Sequence, residues 1–240
     1  EDAIRGFLED AGHLVVKPAR GEQGRGISVG ITTYEDLEEA VKAAKAYCDT
    51  VLIEEMVQGE DLRLIVINYR LVAAAMRRPA HIVADGKSSI EQLIASQSER
   101  RSAATGGESS IPLDAETERT VRDAGYTFAD VPEAGTEIRV RRTANLHTGG
   151  TIHDVTDIVH PKLVDAAISA ARAINIPVVG IDLMIKSPQN PDYAFIEANE
   201  RPGLANHEPQ PTAERFVDLL FPLSMPAGVR HSVREAHKNE

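Results

Sequence analysis

The chain has 240 residues, 42% of them apolar, and a formal net charge of −11. That is enough sequence for one large domain or two small ones of ordinary globular composition. The acidic balance argues against a general binder of nucleic acid or of membrane surfaces, both of which require a positive footprint.

Cys48 has no second cysteine to pair with, which excludes a disulfide framework and a thiolate metal cluster. This fits a reducing compartment, most simply the cytoplasm. No apolar run reaches membrane-spanning length, and the first residues carry no signal-peptide pattern. The chain opens on Glu1 rather than Met, inside what reads as a helix. It is therefore expected to be a fragment of a longer protein, with upstream domains on the same polypeptide.

Residues 2–11 read as the end of a helix closed by Gly12. A short buried strand over 14–18 leads through a glycine-rich turn into a second strand over 26–31. Helical spacing covers 34–47, with Thr33 as N-cap and acids in the first turn. A strand over 51–57 precedes Gly59, and strands over 61–68 and 71–76 pair antiparallel across a turn at 68–70. A helix over 90–101 leads into a flexible Ser/Gly stretch over 102–110, then a helix over 114–124. Residues 139–143 read as a basic strand followed by an Asn/Thr/Gly loop. The longest helix is expected over 161–175, with Pro161 in its first turn. A helix over 212–220 is the last clear element, and the tail beyond Pro222 is expected to be loosely held. Strands and helices intermix and hairpins are prominent, which favours an α+β fold over a doubly wound parallel sheet.

The loop from Gly21 to Gly26 contains three glycines but leads into a strand, unlike a dinucleotide fingerprint, which opens a helix. It is the tip of a hairpin, whose amides can still approach phosphate oxygens closely. Lys17 ends the preceding strand beside Pro18 and supplies a point charge for a polyphosphate. Arg20 and Arg25 either assist or simply solubilise the loop. In the run from Glu54 to Asp61, acids interrupt an apolar strand, as an adenine slot with ribose-binding carboxylates would require, although many strands end in acids. Arg77, Arg78, Arg139, Arg141 and Arg142 form basic clusters suited to carboxylates or phosphates, or else to water. The loop from Thr143 to Gly150 has the polar groups and glycines of a ligand contact. His147, His153 and His160 lack the spacing of a helical zinc site.

Residues 180–185 and 193–199 are two alternating apolar runs around a Pro/Asn/Asp turn, the pattern of a β-hairpin. A register symmetric about the turn sets Asp182 opposite Glu197, with Asn199 on the same face. Like charges across two strands are destabilising unless something positive lies between them. Three hard oxygen donors on one face suit Mg²⁺, and the bland alternative is a hairpin whose acids face water.

Taken in order, these features resemble the ATP-grasp superfamily of carboxylate–amine ligases. The matching elements are Val15-Val-Lys-Pro18, the 21–26 loop, the run 53–61, Gly180-Ile-Asp182 and the run 196–203. Arg78-Pro-Ala-His81, Asp85-Gly86 and the run 142–156 resemble its cyanophycin-synthetase-like branch. The run 197–215 is similar to the N-acetylglutaminylglutamine synthetase family.

The resemblance implies two α+β subdomains gripping ATP, with the N-terminal part of the first missing. Residues 1–57 would be a partial lid subdomain, 58–223 a C-terminal subdomain with the metal site, and 224–240 a tail. It also implies ATP and Mg²⁺ as cofactors, with Mn²⁺ as an alternative, and a small amino-acid or dipeptide substrate. Lys17 would contact the α/β phosphates, and Gly24, Arg25 and Gly26 would close over the β/γ phosphates. Glu54 would face the adenine amino group, backbone of Glu55 and Val57 would complete the base contacts, and Asp61, or else Glu60, would take the ribose. Asp182, Glu197 and Asn199 would ligate the metal, while Arg142, Arg78 and Asn145 would serve the reacting groups. Many members place an arginine two residues before the first metal aspartate, where this chain has Gly180. A further phosphate-binding lysine lies upstream in the family, so the isolated chain is expected to bind nucleotide weakly and not to turn over.

Overall fold

Leu14, Val16 and Ile31 are apolar at alternate strand positions, and in the computed structural model all three are fully buried. The structure describes residues 2–21, 25–204, 207 and 209–223. The expected glycine-loop position Gly24 and almost all of the expected tail lie outside them.

In chain order, the first elements are α1 (Asp2–Ala11), β1 (Leu14–Pro18), β2 (Ser28–Ile31), α2 (Tyr34–Lys45) and β3 (Val51–Glu55). Then come β4 (Glu60–Ile67), β5 (Arg70–Arg78), β6 (His81–Val83), α3 (Ile90–Ala104), α4 (Ala115–Asp123) and β7 (Glu137–Arg139). The chain closes with β8 (Thr151–Asp154), α5 (Pro161–Ala173), β9 (Val178–Ile185), β10 (Tyr193–Asn199) and α6 (Thr212–Leu220). Residues 1–58 and 77–151 make one compact unit, and 59–76 with 152–240 make the other. Residues 77–151 thus group with the glycine-loop segment, whereas the sequence reading grouped them with the metal hairpin.

In the first unit, β1 is central between antiparallel β2 and β3. One face of this sheet buries Leu14, Val16 and Ile31 against Leu8 of α1 and Leu37, Ala40 and Ala44 of α2. Strand alternation sends Lys17 to the opposite face. Thr33 caps α2 by accepting the Asp36 N–H at 3.1 Å, as its sequence position predicts. A second core gathers Ile82, Ile90, Ile94, Ile111, Val121 and Ile138 from β6, α3, α4, β7 and the loop after α3. The start of α3 is a full capping box, in which Ser89 and Gln92 satisfy each other's backbone N–H groups.

Two expectations change here. The basic strand expected over 139–143 ends at Arg139. Beyond it, the Arg142 and Thr143 N–H groups go to the Glu116 carboxylate, so no ladder forms. Helix α3 continues to Ala104, three residues into the stretch expected to be flexible.

The second unit is a five-stranded sheet in the order β10-β9-β4-β5-β8. Asn68 and Tyr69 join β4 to β5 with φ values of 53° and 57°, the type I′ geometry that matches strand twist. Leu62, Leu64, Val66, Ile181 and Leu183 bury one face against Leu163, Ala167 and Ala171 of α5. The other face packs Ile65, Ile67 and Val178 against Phe216 and Leu219 of α6. Asp61, Arg63, Gly180 and Asp182 alternate onto that second face.

Candidate functional site

In the second unit, three strands bring charged residues into one row. Arg63 of β4 lies opposite Asp182 of β9, and Asp182 lies opposite Glu197 of β10. The β9–β10 register shifts between Phe195 and Glu197, so a bulge is what sets the two acids face to face. Asn199, opposite Gly180, donates from Nδ2 to Glu197 Oε1 at 3.0 Å and to Asp182 Oδ2 at 3.3 Å. The expected trio is thus gathered, with an amide donor standing where a shared positive charge would lie.

Sequence reasoning missed Arg63. Its Nε and Nη2 both reach the Asp182 carboxylate, the latter at 2.8 Å, which is a bidentate pair. Asp182 is 3% exposed, and such burial demands a partner for its charge. A Cβ at Gly180 would lie 2.9 Å from Arg63 Nη1 and 3.1 Å from Pro202 Cβ. Arg63 therefore fills the space that a side chain at position 180 would need. The signal was present as the one basic residue of β4, but its partner is 119 residues away.

These residues fit a divalent cation in donor chemistry: two carboxylates and one amide oxygen, all hard. Asn199 Oδ1 and Nδ2 exchange places by a half-turn of the amide, which would aim oxygen at a cation. No cluster of three or more His, Cys, Asp or Glu suited to a metal occurs among the described residues. The candidate set stands on two acids and an amide.

In the first unit, Lys17 Nζ lies 2.6 Å from Glu54 Oε2. Glu54 is opposite Val15 in the β1–β3 register, diagonal to Lys17 on the same face. Two of the expected nucleotide contacts are thus neighbours. Glu55 ends β3, and Val57 lies beyond the strand rather than in it. Gly26 adopts φ +73°, and a Cβ there would meet the Tyr47 ring at 2.7 Å, so the described end of the glycine loop lies against an aromatic side chain. Arg25 precedes it in the same turn. Asp61 stands on β4 opposite Met184 in the second unit.

Of the residues expected to serve the reacting groups, Arg142 pairs with Asp123 Oδ2 at 2.5 Å and rests against Gly30. Arg78 is exposed at the end of β5. Asn145 opens a turn of 3₁₀ helix by accepting the His147 N–H at 2.9 Å. Neighbouring Arg141 is buried among Asp114, Glu116 and Thr117, which sets it apart from the partly exposed Arg142.

Residues 11–119 match the family described as the C-terminus of D-Ala–D-Ala ligases, and residues 134–214 match the RimK-like ATP-grasp domain. The chain is 33% identical over 222 residues to cyanophycin synthetase of Trichormus variabilis, covering 87% of this chain and 25% of that protein. It is 30% identical over 223 residues to the glutathione biosynthesis bifunctional protein of Clostridium perfringens, covering 87% and 29%. The crystal structure of a bifunctional glutathione synthetase from Pasteurella multocida superposes with a TM-score of 0.56 at 23% identity, over 92% of this chain and 33% of that one. The two matched segments are similar to ligase and ATP-grasp domains, and the chain's α+β architecture is the ATP-grasp fold. It spans between a quarter and a third of the length of these relatives. Among the described residues, no helix is long and apolar enough to cross a membrane.

Proposed function

We propose that this chain is the nucleotide-binding and phosphoryl-transfer region of an ATP-dependent carboxylate–amine ligase whose product is an N-acetylglutaminylglutamine-type dipeptide. The observation that carries the ligase reading is the row Arg63–Asp182–Glu197 with Asn199 beside it. The finer product assignment draws its support from the run 197–215.

A carboxylate does not acylate an amine directly, because oxide is a poor leaving group. A substrate carboxylate oxygen attacks the γ-phosphorus of ATP, the bond to the bridging oxygen breaks, and ADP leaves. The amine nitrogen then attacks the acyl phosphate carbon, phosphate departs with the C–O bonding pair, and the nitrogen loses a proton. Bound Mg²⁺, or Mn²⁺, would neutralise charge on the transferring phosphoryl group and its leaving oxygen. Asp182, Glu197 and Asn199 would hold it. Lys17 holds phosphate oxygens, Glu54 accepts from the adenine amino group and Asp61 from the ribose. Arg25 and the glycines of its loop cover the phosphates and exclude water from the acyl phosphate. Arg63 supplies the cation that Gly180 lacks, and Arg78, Arg142 and Asn145 address the substrate. In this reading residues 1–57 act as the lid segment and 58–223 as the metal-bearing segment. The single cysteine supports a cytoplasmic enzyme.

The relatives at 33% and 30% identity favour a second reading, a cyanophycin- or glutathione-type ligase. Substrate screening on the full-length protein separates the two.

Calorimetric titration of this chain with ATP, with and without Mg²⁺, tests the site. Magnesium-dependent binding that an Asp182→Asn/Glu197→Gln variant loses is the expected result. In the intact enzyme Glu197→Gln should abolish ligation while leaving the melting curve unchanged. A variant of near wild-type activity would sink the metal assignment.

A further inference from the structure

Arg101 occupies the last turn of α3. Its Nη2 donates to the Gly150 carbonyl at 2.5 Å and its Nε to Ser109 Oγ at 3.2 Å. Ser109 is 4% exposed and donates onward to the Leu146 carbonyl at 2.5 Å. The next residue, Ser110, donates its N–H to the His147 carbonyl at 3.1 Å. Three carbonyls of the 145–150 loop are thus taken up by α3 and the segment behind it. The loop's own glycines close the fit. Gly149 has φ +93°, and a Cβ there would lie 2.4 Å from Ile111 Cγ1. A Cβ at Gly150 would meet the Asn145 and Arg78 carbonyl oxygens at 2.8 and 2.9 Å.

The loop closes one turn on itself through bonds to the Asn145 carbonyl and side chain, but with Leu146 its one large apolar residue it has little burial to offset an ordering cost of about 1–2 kcal/mol per backbone residue. Arg101 differs from Arg141, which is neutralised by two carboxylates. Its side-chain bonds go only to neutral oxygens, and it has no carboxylate partner among the described residues. Burial pushes its pKa below the ordinary guanidinium value, as expected for a cation held without a counter-charge.

We infer that Arg101, acting through Ser109, is a positioning residue that holds the 145–150 loop in the shape that receives the carboxylate-bearing substrate. The inference rests on the ligase reading for the nature of the ligand, and on geometry alone for the brace. Preorganising a loop lowers the ordering cost of binding without touching the nucleotide.

Arg101→Ala and Arg101→Lys in this chain and in the intact enzyme test it. Amide hydrogen exchange over 145–150 should speed by about tenfold or more in the alanine variant, with β4 and β9 unchanged. In the intact enzyme KM for the carboxylate substrate should rise by about tenfold while KM for ATP stays within about twofold. Lysine keeps the charge and can make one of the two bonds, so Arg101→Lys should recover part of both losses. Exchange that speeds equally through the whole chain, or does not change over 145–150, overturns the proposal. A loosened loop with an unchanged substrate KM overturns it as well. If the wild-type full-length protein ligates nothing while the loop still loosens selectively, the ligase reading has failed and the brace has not.

Discussion

Arg63 and Asp182 show how much one residue pair decides in this site. Both are largely buried, with side chains 14% and 4% exposed, so removing one partner strands the charge of the other. Arg63→Ala should destabilise the chain by about 3–5 kcal/mol in denaturant unfolding, the usual cost of breaking a buried pair. A loss below about 1 kcal/mol would mean that Asp182 finds another partner or a proton. Asp85 is a second residue with a defined role. Hydrogen bonds from the Ser88 backbone and hydroxyl, then from the Lys87 backbone, lower its pKa from 3.8 to about 2. A carboxylate depressed on folding stabilises fully above its unfolded pKa and ceases to do so as pH falls through its folded pKa. The stability gap between wild type and Asp85→Ala should therefore be constant above about pH 4 and close towards pH 2. Urea unfolding at a series of pH values measures it, and a gap that persists at pH 2 would contradict this role.

At the scale of elements, the β1–β2 hairpin carries a bulge with a partner. Leu14 pairs with Ile31 and Val15 with Val29, leaving Gly30 unpaired at φ +71°. A Cβ there would fall 1.5 Å from Arg142 Nη1, so the bulge is a socket for that guanidinium. Gly30→Ala should cost about 1–2 kcal/mol for the left-handed backbone alone, plus the displacement of Arg142. Only the second part should vanish in an Arg142→Ala background, and a double-mutant cycle reads the difference. Strictly additive losses would show that Arg142 does not depend on the bulge. Asp123 of α4 holds the other side of the same guanidinium.

For the molecule as a whole, ligand binding and stability are linked. Mg²⁺ and ATP at about a hundred times the dissociation constant should add about 2.7 kcal/mol to stability. For a chain of this size that is a rise of about 5–10 °C in melting temperature. The Asp182→Asn/Glu197→Gln variant should lose most of that rise while melting cooperatively. An equal rise in the variant would move the nucleotide's metal site elsewhere.

Local chemistry was legible from sequence. Thr33 as a cap and the β1–β2 hairpin follow from residues close along the chain, and Asp182 faces Glu197 as expected, although a bulge rather than a symmetric register sets that pairing. Turn residues and strand alternation act over a few residues, and a hairpin brings its own partner. What lay beyond reach involved distant partners. Arg63 needed β4 to lie beside β9, and the expected strand at 139–143 was undone by Glu116 of α4. The stretch over 102–110, expected to be flexible, instead contributes Ser109, which with Arg101 of α3 meets carbonyls of a loop some forty residues on that no local pattern announces. Sequence by itself determined most of the helices and strands and set Asp182, Glu197 and Asn199 on one hairpin. Tertiary structure alone decided which arginine faces the acids, because burial of apolar faces selects strand neighbours across long separations.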